Sequence, residues 1–272
     1  MTNFEAVILG LVQGVTEFLP ISSTAHLRIV PAVAGWDDPG AAYTAVLQLG
    51  TLGAVIAFFA GDLFRMVRSA LRALGQRGAH PDTDARHLLY LIIGTIPIGI
   101  AGILLRHAVE GSFRSLWVVA IALIVVALVL AWVERRGHKQ GRGLEAIDLR
   151  DAVLIGCAQA LALVPGVSRS GITLLAAMAL GMRRDAAARF SFLLSIPAVA
   201  AAGVFELPKI MKSHDIGGMP LAVGLIVAAL SGYASIAWLL KFLRTRSTMP
   251  FVIYRVMLGL LIIAMLISGR LG

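Results

Sequence analysis

Within fourteen residues the chain places an amide, a carboxylate, a run of three consecutive hydroxyls and an imidazole: Gln13, Glu17, Ser22, Ser23, Thr24 and His26, with Pro20 between the acidic part and that run. On a helix Gln13 and Glu17 are four residues apart and share a face. Two oxygen donors placed that way suit a hard divalent cation, above all one that a phosphate also ligates. A Gln–Glu hydrogen bond without metal is the alternative. With one carboxylate only, an ion is expected to arrive with its substrate. If the chain turns helical after Pro20, Ser22 and Ser23 stand four and three residues before His26. Either hydroxyl could then reach the imidazole, which is the arrangement that activates a serine. An imidazole titrates near neutral pH and can also protonate a leaving group. The competing reading is a helix cap beside a solvated histidine.

Half a chain later comes a second polar interruption, Pro165-Gly166-Val167-Ser168-Arg169-Ser170-Gly171. Backbone N–H groups at the head of a helix favour anions. Arg169 adds a planar fork for phosphate, and Ser168 and Ser170 add donors. The segment lacks the lysine and spacing of a P-loop, so a nucleotide is not indicated. A charge inside lipid costs about 2.5–3.5 kcal/mol on insertion scales, which makes Glu17 and Arg169 functional candidates. A purely structural ion pair between them is the other reading. If the two interruptions meet, an anion clamp faces a hydroxyl–imidazole–carboxylate set. The ligand that fits is an amphiphile with a phosphate or diphosphate head and a long tail.

The elements that must carry these residues are membrane helices. The 272 residues are 58% hydrophobic and 14% charged, against about a quarter charged in soluble domains. Apolar runs of about twenty residues recur, the length that crosses a hydrocarbon core. A transmembrane barrel would show short alternating segments instead. The net charge of +9 fits Arg-rich cytoplasmic loops better than nucleic acid. The lone Cys157 excludes an internal disulfide. No basic residue precedes the first apolar run, so a cleaved signal peptide is not expected.

The pattern predicts an all-α polytopic protein of six transmembrane helices and two re-entrant helical hairpins. The hairpins fall at 4–34, broken at Pro20, and at 151–181, broken at Pro165-Gly166. Full crossings are expected at 41–60, 87–105, 115–133, 186–206, 219–240 and 250–268, with a basic loop joining the first two. The order hairpin, three spans, hairpin, three spans divides one membrane domain into repeat halves of about 1–135 and 150–272. Gly10-x-x-Gln13 and Gly156-x-x-Gln159 each precede the break. An odd number of crossings per half inverts the second copy, a layout known for polar ligands handled in mid-membrane. Irregular backbone there must be buried in protein or face a wet cavity.

The basic residues assign the sides. Arg65, Arg68, Arg72, Arg77, Arg86, Arg135, Arg136, Lys139, Arg142, Arg150, Arg183, Arg184, Arg189, Lys241, Arg244 and Arg246 share the face that receives the second hairpin. Arg28, Arg106, Arg114, Lys209, Lys212 and Arg270 fall on the other. Sixteen against six puts the second hairpin on the cytoplasmic side, and the first hairpin with Asp37 and Asp38 outside.

Gln13-x-x-x-Glu17 followed by Phe-Leu-Pro-Ile-Ser-Ser-Thr-Ala-His26, together with Pro165-Gly-Val-Ser-Arg-Ser-Gly171, resembles the bacterial undecaprenyl-diphosphate phosphatases, the bacitracin-resistance family. The likeness extends along the chain and includes Phe190-Ser-Phe-Leu-Leu-Ser-Ile-Pro197. It implies dephosphorylation of the C55 isoprenyl diphosphate carrier to the monophosphate used for cell-wall polymers, in the bacterial inner membrane, from a site facing the periplasm. It also implies a divalent cation, Mg2+ or Ca2+. The family's Glu/Gln-x-x-x-Glu motif falls on Gln13 and Glu17 as metal ligands, its hydroxyl and imidazole positions on Ser22, Ser23 and His26, with Ser23, His26 and Glu17 as the catalytic set, and its diphosphate-binding arginine on Arg169. Ser22, Thr24, Ser168, Ser170, Gly166 and Gly171 complete the expected head-group contacts. This chain departs from the pattern at Gln13, where many members have Glu, and at Ala25, where many have Gly.

Under this reading the partners are the lipid diphosphate and the bilayer, with a homodimer as one option and no nucleic acid. The nucleophile stays open between Ser23, His26 and a His26-activated water. A polyprenyl-phosphate flippase or other inverted-repeat carrier is the runner-up. The lipid phosphatases that use paired histidines fit less well, since only one histidine stands in a motif.

Overall fold

A computed structural model describes residues 1–75, 82–136, 141–213 and 217–269. Its α-helices, in chain order, are α1 (Asn3–Phe18), α2 (Ser23–Ala34), α3 (Gly40–Phe58), α4 (Ala60–Gly75), α5 (Thr83–Leu104), α6 (Arg106–Glu110), α7 (Leu116–Arg135), α8 (Leu149–Ala160), α9 (Arg169–Ala179), α10 (Arg184–Ser213), α11 (Gly218–Thr245) and α12 (Met249–Ile267). Among the described residues there is no strand beyond an isolated bridge between Arg142 and Met182. Five helices (α5, α7, α10, α11 and α12) are long and apolar enough to cross a membrane, or six if α3 and α4, bent by 75° at Phe59, count as one span. The chain is a multi-helix integral membrane protein.

The outside of the bundle is as apolar as its core, as lipid contact requires. Ile121, Val125, Leu128 and Trp132 on α7, and Ile253, Met257 and Leu260 on α12, recur every three or four residues and point outward. The opposite faces pack on one another through small residues such as Ala120, Ala127 and Gly259. The sequence reading of a basic loop between the first two spans is corrected here: residues 60–75 are helical. Phe64, Val67, Leu71 and Leu74 share one exposed face and Arg65, Arg68 and Arg72 the adjacent one, the amphipathic pattern of a helix lying along a membrane surface. Its arginines disguised the period. Arg77, Lys139 and Arg270 lie outside the described residues.

The helices that flank the two polar breaks are too short to span. At about 1.5 Å per residue, α1, α2, α8 and α9 reach roughly 17–24 Å, against about 30 Å of hydrocarbon. Each pair is a broken helix with matching details. Both α1 and α8 open with a reciprocal capping box, Thr2 with Glu5 and Asp148 with Asp151. Each packs on a long helix, α1 on α11 and α8 on α5, and each contact is set by two glycines. A Cβ on Gly10 would meet the Gly224 carbonyl oxygen at 2.6 Å, and one on Gly156 would meet that of Gly94 at 2.3 Å. α3 packs on α10 and α7 on α12. α9, buried along nearly its whole length, lies in the middle.

One end of the bundle is tied by ion pairs. Arg184 at the start of α10 pairs with the buried Glu134 at the end of α7, whose carboxylate also accepts the Thr248 hydroxyl at 2.8 Å. Arg142 bridges Asp151 at 2.9 Å, and Arg189 reaches Asp62 at 2.7 Å.

The glycine contacts give a direct test. Gly156→Ala is expected to lower stability by about 1–3 kcal/mol through overpacking. Gly53→Ala, where a Cβ meets nothing within 4 Å, is expected to leave it level or raise it by up to about 1 kcal/mol. Thermal midpoints in detergent would show whether the two separate.

Candidate active site

The two polar stretches form the turns at which the short helices break. Ser22 and Ser168 cap α2 and α9, and they are the only non-glycine residues among those described with positive φ, at 74° and 72°. An L-residue held there stores roughly 1–3 kcal/mol of strain. Each hydroxyl offsets part of this by capping its helix. Ser22 Oγ accepts from the Ala25 amide at 3.4 Å, and Ser168 Oγ from the Gly171 amide at 3.1 Å. Each also meets the hydroxyl two residues on, Thr24 at 3.1 Å and Ser170 at 3.2 Å. The Gly171 N–H, expected to face an anion, is therefore already engaged.

The breaks meet at Glu17, on the last turn of α1. Its Oε2 accepts from Ser23 Oγ at 2.6 Å and from Gln13 Nε2 at 2.8 Å. Its Oε1 pairs with the Arg169 guanidinium. Ser170 Oγ reaches back to the Glu17 carbonyl at 2.9 Å. Only 5% of the Glu17 side chain and 15% of the Arg169 side chain are exposed. The pair is thus strongly attracted but needs every remaining donor and acceptor satisfied. Gln13 spans both alternatives of the sequence reading. It makes the Gln–Glu hydrogen bond, and its Oε1 is buried with no partner.

His26 departs from expectation. Neither serine hydroxyl bonds it: Ser22 is occupied as a cap and Ser23 has found the carboxylate. Nδ1 lies 2.7 Å from the Ser22 carbonyl and Nε2 2.6 Å from the Tyr254 hydroxyl. A carbonyl only accepts, so Nδ1 carries the hydrogen, and in the neutral ring Nε2 is then the acceptor for the Tyr254 hydroxyl. The Tyr254 ring also stacks on the imidazole with centroids 5.6 Å apart.

Arg255, next along α12, was missed by the sequence reading. It is fully buried and donates to five carbonyls. Those of Pro20 (3.0 Å), Gly166 (2.8 Å) and Val167 (3.1 Å) belong to the two breaks, and those of Leu123 (3.2 Å) and Ala122 (3.4 Å) to α7. A single charge inside the apolar run Met249–Ile267 was the available signal. Tyr254 offered none.

A chamber of about 230 Å3 opens over the Glu17 cluster. Glu17, Ser23, Thr24, Ser168 and Arg169 give its polar floor, and Arg28, Thr44 and Gln48 add polar groups to a largely apolar wall that includes Ile98, Leu163, Ala198 and Ala202. Gln13 touches it through Glu17. Ser22, Ser170, Gly166, Gly171 and His26 shape the breaks but do not line it. The α3 and α10 residues of the lining stand at the start of α3 and midway along α10. Both are remote along their helices from Asp62 and Arg184, so the chamber is set off from the ion-paired end.

Comparison with known proteins agrees along the full length. The family model for bacitracin resistance protein BacA matches residues 6–261. The chain is 52% identical to an undecaprenyl-diphosphatase of Myxococcus xanthus, over all of this chain and 92% of that one. It is 50% identical to undecaprenyl-diphosphatase 2 of Frankia casuarinae, over all of this chain and 97% of that one. With the undecaprenyl-diphosphatase of Chloroherpeton thalassium it shares 47%, over all of this chain and 99% of that one.

Replacing Arg255 by Met should strand the Pro20, Gly166 and Val167 carbonyls in a dry interior and destabilise the fold by more than about 3 kcal/mol. Arg255→Lys keeps the charge but has three donors and no planar fork, so it should fall between. Tryptophan-fluorescence melting and gel filtration in detergent would check the order. A wild-type midpoint for Arg255→Met would remove the bridging role.

Proposed function

The chain belongs to the bacitracin resistance protein BacA family, and we propose that the chamber over Glu17 is its active site. The protein is a membrane hydrolase that takes the terminal phosphate from undecaprenyl diphosphate and returns undecaprenyl phosphate for cell-wall polymer synthesis. The observation that carries the site assignment is that one buried carboxylate, Glu17, is shared by the Ser23 hydroxyl and the Arg169 guanidinium on the chamber floor.

In this reading the diphosphate enters between the two breaks and takes the Arg169 fork from Glu17. The released carboxylate is then the base nearest to Ser23. Ser23 Oγ gives its proton to Glu17 and attacks the terminal phosphorus. The bond from that phosphorus to the bridging oxygen breaks, and undecaprenyl phosphate leaves with the bridging oxygen. Water then attacks the phosphoserine and the Ser23 oxygen leaves; Glu17 returns the Ser23 proton to that oxygen as it takes one from the attacking water, and it loses that proton to solvent once inorganic phosphate has left. Such transfers ask the protein chiefly for positioning and charge stabilisation. His26, held on the Ser22 carbonyl and Tyr254, orients the break that presents Ser23; this geometry favours Ser23 over His26 as nucleophile.

A divalent cation fits the donor set as a companion of the substrate. Among the described residues no group of three His, Cys, Asp or Glu side chains could hold an ion by protein alone. Glu17 and the unpartnered Gln13 Oε1 would hold Mg2+ or Ca2+, which would neutralise charge on the diphosphate.

We also infer that α1–α7 and α8–α12 are inverted halves, 1–135 and 150–272, with α1–α2 and α8–α9 as re-entrant hairpins. Paired capping boxes, paired positive-φ serines and paired glycine contacts support it. So does the exchange of partners, α1 with α11 and α8 with α5. With the ion-paired, arginine-rich end in the cytoplasm, the chamber faces the periplasm. A carrier could be built on the same symmetry. Phosphate release by pure protein in detergent, with no gradient present, separates the two.

Ser23→Ala and Glu17→Gln are each expected to lower kcat on undecaprenyl diphosphate by at least about 10²-fold, and acid quench of wild type should trap phosphate on Ser23. Activity in Ser23→Ala within twofold of wild type would sink the serine route. Chelator should abolish turnover, and added Mg2+ should restore it. Gln13→Glu supplies a second carboxylate, so it should lower the Mg2+ concentration for half-maximal rate several-fold. An unchanged requirement would take Gln13 out of the ion's surroundings.

A further inference from the structure

The chamber has two guanidinium groups, and the reaction above uses one. Arg28, midway along α2, lines the same cavity as Glu17, Ser23 and Arg169. It pairs with Asp38 in the α2–α3 connection, and its Nε is buried without a hydrogen-bond partner. The two ion pairs differ in character. Glu17–Arg169 is almost closed to solvent, at 5% and 15% exposure, whereas Arg28–Asp38 keeps 28% and 35%. A pair about one-third exposed is screened by solvent and contributes less to stability than a closed one.

The connection that carries Asp38 is built to let go. Gly35 and Gly40 bracket it with φ of 70° and 83°, and a Cβ at either would meet nothing within 4 Å. Apart from Arg28, the hold on Asp38 includes the Gly40 amide at 3.1 Å, within the connection itself. A substrate with two adjacent phosphates carries more charge than Arg169 alone can match, and a guanidinium meets phosphate through two parallel hydrogen bonds.

We propose that Arg28 is a second phosphate anchor, kept by Asp38 until the substrate arrives and then transferred to the diphosphate, so that the chamber selects diphosphate over monophosphate lipids. The proposal rests on the chamber being the substrate site. Arg28 is a positioning residue: it grips the phosphate that stays with the lipid while Arg169 and Glu17 work at the terminal one. The product monophosphate cannot engage both arginines at full charge, and Asp38 recovers Arg28 as the product leaves.

The experiment compares wild type, Arg28→Ala, Arg28→Lys and Asp38→Asn, purified in detergent with the full chain. Arg28→Ala should raise KM for undecaprenyl diphosphate about tenfold, the loss of a charge-assisted contact, with kcat within about twofold. Arg28→Lys should recover part of that loss. Asp38→Asn should move the other way and lower KM by about threefold, because Arg28 is no longer retained. Removing either half of a merely structural ion pair would move both variants in the same direction. An unchanged KM in Arg28→Ala, or a raised one in Asp38→Asn, overturns the proposal. Calorimetric binding of inorganic pyrophosphate to the same proteins distinguishes the two readings. Wild type that binds pyrophosphate through Arg28 but releases no phosphate from lipid keeps the anchor and removes the hydrolase. Wild type that turns over, with Arg28→Ala equal to it in both assays, removes the anchor alone.

Discussion

A helix that stops inside a packed interior leaves its last carbonyls with no water to accept from, and this chain does so twice. The fold depends on meeting that demand. At the break after α1 and the break before α9, carbonyls of Pro20, Gly166 and Val167 converge on the Arg255 guanidinium, which also takes two carbonyls of α7. A neutral side chain could not serve so many acceptors, and a lysine could not spread its donors in one plane. The burial of a full charge in a dry interior is tolerated because five oxygens surround it. The same group fixes the separation of the two breaks, and hence the distance between what each presents to the chamber.

That separation puts Glu17 and Arg169 in contact. Once they meet, the remaining capacity of the carboxylate is filled by Ser23 and Gln13. The hydroxyl is thereby oriented, and its proton has a destination before any substrate is present. The strained backbone at Ser22 and Ser168 belongs to the same design: each serine trades a favourable φ for a turn tight enough to bring its neighbours to the floor. Packing by Gly10 and Gly156 against backbone oxygens holds the short helices close enough for this to persist.

Much of this was legible in the residues themselves. Two proline-bearing polar clusters in an apolar chain announced broken helices, and the cost of charge in lipid singled out Glu17 and Arg169. The breaks at Pro20 and at Pro165-Gly166 fall where the short helices end and resume. What spacing could not decide was the choice of partner. Ser23 stands three residues from His26, but it also faces the end of another helix, and the carboxylate there is the stronger acceptor. The imidazole turned to a carbonyl of its own turn and to Tyr254, a residue 228 positions away, which no local pattern reveals. Arg255 was different: its charge within an apolar span was visible, and the rule applied to Glu17 and Arg169 covered it equally. The helix at 60–75 was hidden because its arginines made an amphipathic period look like a charged loop.

In the proposed reaction the Glu17–Arg169 pair would let one carboxylate suffice, with the neutral Gln13 beside it. In the resting chamber the arginine neutralises Glu17, so the buried site carries little net charge and needs no permanent ion. In the proposed reaction, a diphosphate that drew the arginine away would uncover the carboxylate as negative charge arrives, and both anions would then need compensation in a low dielectric. The proposed cation, arriving with the substrate, would meet that need only while the substrate is bound. Gln13 supplies a neutral oxygen to such an ion without adding a second negative charge that the empty site would have to bury.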